Sequence, residues 1–170
     1  MQDNPQSYGT VSRLFHWLMA AMFAFMSVSA YLFTVDDEYF SLMPYHKATG
    51  FFLAVLVVLR LLWALKNAAR RPHGSLIVKL GHAALYALMI AVPFIGLIRQ
   101  YGGGRGPLEI GGVTVFPAAP EKIQWMSELG NHWHGLLGWA LFALVAGHIL
   151  MAVVHQLKGE KILNRMAGPR

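Results

Sequence analysis

Cysteine is absent from the 170 residues, and charge is scarce, at 13% against 56% hydrophobic residues. Without cysteine there is no disulfide, no iron–sulfur cluster, no thiolate zinc site and no cofactor tethered through a C-x-x-C-H motif. A soluble domain carries about 25% charged residues; a chain with so few reads as a membrane protein. Acids are the scarcer sign, 8 Asp and Glu against 14 Lys and Arg, for a formal net charge of +6. That excess raises nucleic acid as a partner. The basic residues flank apolar runs, however, and form no patch interleaved with polar readers. They read as topology signals, and nucleic acid is not expected to bind. The glycines at 102–106 lack the terminal Lys-Ser/Thr and the preceding strand of a phosphate loop. No internal repeat and no low-complexity segment is found.

What is present is four long apolar runs. Residues 14–33 contain His16, residues 45–65 contain His46, Lys47 and Arg60, residues 80–98 contain His82 and Pro93, and residues 135–154 contain His148. Each approaches the roughly 20 residues that cross about 30 Å of hydrocarbon at about 1.5 Å per residue. The runs are continuous, not alternating, which favours helices over barrel strands. The first lacks a basic n-region and a small-residue cleavage site and is too long for a signal h-region, so it reads as a retained span. The expectation is a single all-α integral membrane domain over 1–170. It is a four-helix transmembrane bundle with helices at about 11–33, 45–66, 76–100 and 131–157 and a long outer loop at about 101–130.

Basic residues set the expected orientation. The first connection carries Asp36, Asp37 and Glu38, the second Lys66, Arg70, Arg71 and Lys79, and the tail Lys158, Lys161, Arg165 and Arg170. The positive-inside rule places both termini in the cytoplasm and the long loop outside, in a multi-pass protein of a bacterial inner membrane. In that loop, Gly102-Gly103-Gly104, Pro107, Gly111-Gly112 and Pro117 read as turns. A short interfacial helix is expected near 121–129, with Ile123, Trp125, Met126 and Leu129 toward the membrane. Tyr45, Tyr101, Trp125 and Trp133 suit an aromatic belt.

Eight histidines are many for such a chain, and intramembrane histidines are functional candidates. His134 and His148 are 14 residues apart. That step returns to within about 40° of the same helix face while rising about 21 Å. Two side chains so placed, one per leaflet, can hold two stacked cofactors but not one shared metal ion. At matching depths stand His16 for His148 and His46 for His134. A single histidine is as readily an interhelical hydrogen-bonder; two pairs at two depths point to bis-histidine ligation of two b-type haems, which favours electron transfer over gas binding. His132 is the competing residue at the outer level, two positions from His134 and so on another face; the 14-residue spacing favours His134. With no carboxylate or further ligand nearby, His132-Trp133-His134 does not read as a metal site.

Neighbouring residues extend the pattern, each with an alternative. Gly50 and Gly138, one turn after His46 and His134, leave room for a macrocycle or for close helix packing. Arg60 follows His46 by 14 residues at cytoplasmic depth, where it meets a propionate of the cytoplasmic haem or snorkels to the interface. Lys47 has the same two roles at the outer haem. His155, seven residues beyond His148, and His82, at the start of the third helix, share the cytoplasmic depth. They are placed to flank a quinone headgroup, donating a hydrogen bond and relaying protons, or to be interfacial polar residues. His73, in the basic connection, reads as solvated.

These residues resemble the bacterial cytochrome b561 family, small diheme membrane cytochromes related to the b subunits of hydrogenases and formate dehydrogenases. The resemblance covers nearly the whole chain. It is carried by Tyr8-Gly9, Phe15-His16-Trp17, His46-Lys47-x-x-Gly50, Arg60-x-x-Trp63, Gly81-His82-x-x-Leu85-Tyr86, Pro93-x-x-Gly96, the His134–His148 gap and Leu163-x-Arg165-Met166. It implies that His16, His46, His134 and His148 ligate two haem b groups. It also implies exchange with ubiquinone or another quinone near the cytoplasmic haem, in a haem-dependent quinone oxidoreductase. One branch of the family oxidises superoxide at the outer face and reduces ubiquinone. A further alternative is a membrane anchor and electron-transfer subunit for a periplasmic dehydrogenase or cytochrome. Against the superoxide role, the expected outer segments hold four basic residues (Lys47, Arg99, Arg105, Lys122) and six acidic ones (Asp36, Asp37, Glu38, Glu109, Glu121, Glu128), a balance that does not steer an anion inward.

Overall fold

The computed structural model describes residues 2–72, 74–160 and 162–167. His73, Lys161 and Arg170, named above in the basic segments, lie outside the described residues. The fold is mostly helical, with four helices long and apolar enough to cross a membrane: α1 Thr10–Leu32, α2 Met43–Lys66, α3 Leu76–Gly102 and α4 Gln124–Leu157. A short α5, Asn164–Ala167, follows.

Local chemistry sets the ends. The Gly9 N–H ahead of α1 donates to Asp3 Oδ1 at 2.7 Å. A 3-10 turn over Asp37–Leu42 leads into α2, and the Asp36 side chain caps it by accepting from the Glu38 N–H at 2.8 Å. Pro44 sits in the first turn of α2, where its missing N–H costs nothing. Ser75 caps α3 through the Val78 N–H. Pro93, inside α3, cannot donate to the carbonyl one turn back.

The connection between α3 and α4 departs from expectation in two ways. The glycine- and proline-rich stretch read only as turns contains an antiparallel hairpin, β1 Leu108–Ile110 and β2 Val113–Phe116. Its two turn residues, Gly111 and Gly112, have φ of +58° and +80°, the left-handed pair that a tight I′ connection needs. The interfacial helix expected as a separate piece near 121–129 is the first part of α4, which runs unbroken for 34 residues. Gly130, at the junction, does not end the helix because it is a contact point. A Cβ there would meet the Arg99 side chain at 2.3 Å, so α4 lies tightly on α3.

α3 packs most closely on α4, α1 packs on α2, and α2 on α3. Neither α1 with α4 nor α2 with α4 is among the closely packed pairs. The buried core is small: Met19, Leu53, Val57, Met89 and Leu141. Large apolar side chains such as Leu62, Leu136, Ile149 and Leu150 point outward instead. A bundle that exposes its leucines along whole helices is suited to hydrocarbon, where lipid covers those faces.

Candidate functional site

Two tiers of paired histidine rings stand on either side of that core. At the end holding both termini, His16 of α1 faces His148 of α4 with ring centroids 6.4 Å apart and planes at 65°. At the hairpin end, His46 of α2 faces His134 of α4, also at 6.4 Å, with planes at 80°. Leu141, buried in the core, is midway between His134 and His148 along α4, seven residues from each. Each pair bridges two helices that do not pack closely, so the rings look across a gap between helices.

The separation fits a shared metal centre. Two imidazoles on opposite sides of one ion, each by a bond of about 2.0 Å with roughly 1.1 Å from nitrogen to ring centre, would have centroids about 6.2 Å apart. A direct ring-to-ring hydrogen bond leaves room for no ion. Among the described residues no cluster of three or more His, Asp and Glu offers a conventional all-protein metal site. An iron that brings four nitrogens of its own macrocycle needs only the two axial imidazoles found here. A Cβ on Gly138, one turn from His134, would touch nothing within 4 Å, so that helix face is open. Gly50 is less open, with the Met26 side chain end 3.4 Å from its would-be Cβ.

In three of the four rings Nδ1 has a partner. His46 Nδ1 lies 2.8 Å from Ser29 Oγ, and His134 Nδ1 donates to the Val92 carbonyl at 2.9 Å. His16 Nδ1 lies 3.3 Å from Arg60 Nη2. With Nδ1 engaged, Nε2 is the nitrogen left for a metal at His46 and His134. His132 takes no part: its exposed ring donates from Nδ1 to the Glu128 carbonyl of its own helix.

The remaining sequence-selected residues divide. Arg60 is brought to the terminal tier, half-buried, with its guanidinium 5.6 Å over the Tyr86 ring. Lys47 sits at the hairpin tier, close enough to Arg99 and Arg105 for the three to repel one another. Among the described residues none of the three has an acidic partner. His82 and His155, expected at one depth, are not brought together. The His82 ring lies 5.5 Å from that of His148 and donates from Nδ1 to the Val78 carbonyl. His155, about 10 Å further along the helix by its rise, contacts Glu160 at 2.8 Å.

Several residues of the site escaped the sequence reading. Ser29, 1% exposed, looks like an ordinary small helix residue until α2 places His46 against it. The Pro93-x-x-Gly96 pattern was visible, and its role is now physical: a Cβ on Gly96 would stand 2.8 Å from His134 Cε1. Beneath the terminal tier is a polar node. Asp3, fully buried, receives Arg71 Nε at 3.1 Å and Ser12 Oγ at 2.8 Å, and Trp63 Nε1 donates to Ser12 Oγ at 2.9 Å. The Tyr8 N–H donates to the Arg165 carbonyl and Trp17 Nε1 to that of Met166, so the segment before α1 and the short α5 are tied together at this end of the bundle.

Comparison with known proteins bears on this arrangement. A family described as prokaryotic cytochrome b561 matches residues 7–169. Over 177 aligned residues the chain is 29% identical to cytochrome b561 homolog 2 of Escherichia coli (strain K12), with 98% of this chain and 94% of that protein covered.

Proposed function

The chain belongs to the prokaryotic cytochrome b561 family, and from that premise we propose a diheme cytochrome that carries electrons across the bacterial inner membrane. At the coarser level it is a multi-pass bacterial membrane protein and a b-type cytochrome of electron transfer. The finer reading places the hairpin end outside, facing an electron donor or acceptor, and both termini in the cytoplasm, where the quinone pool is engaged. The observation that carries it is the equal 6.4 Å spacing of two histidine pairs at two depths.

When bound, haem supplies a one-electron iron couple at each tier. The protein does the rest. His16 with His148 would hold the inner group and His46 with His134 the outer one. Arg60 and Lys47 would offer positive charge to propionates of the inner and outer groups. Met19, Leu53, Val57, Met89 and Leu141 keep water from the layer between the tiers. About 21 Å of helix rise separates His134 from His148, a fixed span along one helix in which no moving part would be required. His82, beside His148, is the better-placed of the two histidines, its Nε2 accepting from a quinol hydroxyl or, when the ring is protonated, donating to a quinone oxygen; His155 serves as a proton exchanger nearer the surface.

Purified wild-type protein and His148→Ala, compared by visible spectrum and haem content, test the reading. The variant is expected to lose one haem and to lose quinone-dependent reoxidation, keeping the outer signal. Retention of both haems, or unchanged reoxidation, contradicts it.

A second reading, superoxide:ubiquinone oxidoreductase, has one observation in its favour. The outer connection is acidic in sum, but Lys47, Arg99 and Arg105 gather positive charge beside His134. Clustered cations focus anions locally even where net charge does not. Pulsed superoxide should then reduce the outer centre. Reduction only on addition of a periplasmic redox protein excludes the superoxide reading and supports a docking role.

A further inference from the structure

A quinone brings two oxygens that accept hydrogen bonds and no group that donates one. A site that holds it must supply a donor, and neutral His82 does not. Its Nδ1 proton goes to the Val78 carbonyl at 2.7 Å, which leaves Nε2 an acceptor. That nitrogen suits the hydroxyl of a quinol, not the carbonyl of a quinone. His82 also stands among exposed apolar side chains, Ile77, Val78 and Leu80. A ligand that reaches it from the bilayer needs an apolar body with a polar head.

The other donors at this end are mostly spent on the protein. Ser12 Oγ gives its proton to Asp3, Trp63 Nε1 donates to Ser12, and Trp17 Nε1 to the Met166 carbonyl. Two hydroxyls are left: among the described residues, neither the Tyr8 nor the Tyr86 phenolic oxygen has a hydrogen-bond partner. Tyr86 is half-buried on α3, one turn after His82, so the two share a helix face. A helical side chain leans toward the amino-terminal end of its helix, which carries the Tyr86 ring back over the turn that holds His82. The Arg60 guanidinium, 5.6 Å over that ring, packs on its face and leaves the hydroxyl free. Tyr8 is within electrostatic reach of Tyr86 but belongs to the segment before α1, where Arg71 covers its ring. A half-buried hydroxyl left unpaired on a membrane helix is costly until a ligand meets it.

We propose that the Tyr86 hydroxyl is the hydrogen-bond donor that holds a carbonyl oxygen of the quinone, while His82 Nε2 receives the hydroxyl of the quinol. The inference rests on the reading of the terminal end as a quinone site and adds to it the residue that holds the oxidised headgroup. The quinone depends on the phenol for its hydrogen bond. The quinol, which carries O–H donors of its own, has the imidazole as well. Tyr86 therefore contributes more to the affinity for quinone than to the affinity for quinol.

The test is equilibrium binding of decyl-ubiquinone to the purified full-length protein by calorimetry. The quinone is titrated into the ferric form and the quinol into the ferrous form, so that no electron moves. Tyr86→Phe should keep its haem content and visible spectrum and raise the dissociation constant for the quinone about fivefold, the worth of one neutral hydrogen bond. Its constant for the quinol should change less, and Tyr8→Phe should change neither. Infrared difference spectra of bound quinone, labelled at one carbonyl or the other, check the wild type alone and decide the matter if Tyr86→Phe does not fold. One carbonyl stretch is expected to be downshifted and the other to stay near its free value. An unchanged quinone constant in Tyr86→Phe, an equal loss for quinone and quinol, a loss seen in Tyr8→Phe instead, or two carbonyls shifted alike overturns the inference and leaves the quinone reading intact. A wild-type protein that binds no decyl-ubiquinone overturns that reading itself.

Discussion

His134 lies in a notch cut by Gly96. A Cβ on that glycine would be 2.8 Å from Cε1 and 3.0 Å from Nδ1 of the imidazole, and Val92, one turn earlier on α3, supplies the carbonyl that the same ring donates to. Ligand and orienting group are thus fixed by one turn of a neighbouring helix. Gly96→Ala adds about 1 kcal/mol of helix propensity but forces the ring to move. The expected result is loss or displacement of the outer haem signal with the inner one unchanged, read by absorbance and haem content. An undisturbed outer spectrum in this variant would show that the notch does not position the ligand.

The Asp3–Arg71 node predicts a stability effect without a direct role at the haem tiers. Asp3→Ala strands the Gly9 N–H and the Ser12 hydroxyl proton and leaves Arg71 only its 3.4 Å contact with Ser12 Oγ and the Tyr8 ring face. Breaking a buried pair costs about 3–5 kcal/mol, and because Arg71 retains some solvent access a loss of about 2 kcal/mol is expected. Thermal unfolding in detergent should show a lowered midpoint. Arg71→Ala should cost no more than Asp3→Ala, since it removes the cation and leaves Asp3 with two of its donors.

Tyr8 gives a pH dependence at the same end. Burial pushes its hydroxyl pKa above the usual 10, against the opposing pull of Arg71. A group whose folded pKa is raised contributes stability that is complete below the unfolded value and declines as pH rises toward the folded one. Anchoring of the amino-terminal segment should therefore weaken above about pH 10. Limited proteolysis across that range is expected to show increasing cleavage before α1 in wild type, and Tyr8→Phe should remove the part of the trend that belongs to this hydroxyl.

The spans were legible because hydrocarbon permits few solutions: continuous apolar runs of the right length become helices. The 14-residue step from His134 to His148 was enough to expect two depths, and helix geometry placed the rings of His16 and His46 opposite them. What stayed hidden depends on contacts between distant segments. Ser29 becomes a histidine partner only through the pairing of α1 with α2, and Asp3 becomes buried only when Arg71 reaches it from 68 residues away. The hairpin was missed because Gly111-Gly112 was read as punctuation and not as the two left-handed positions that join short strands. His82, at the start of the third helix, and His155, at the end of the fourth, share a depth only by the run boundaries, and the His82–His148 ring contact places His82 deeper.

The paired imidazoles are tested most directly by haem stoichiometry of the purified chain together with electron paramagnetic resonance of its oxidised form. Ring planes at 65° and 80° are both far from parallel, so two haems per chain are expected, each giving a strongly anisotropic low-spin ferric signal of bis-imidazole type. A colourless protein, one haem per chain, or a high-spin signal from an iron with an open axial position would contradict the account.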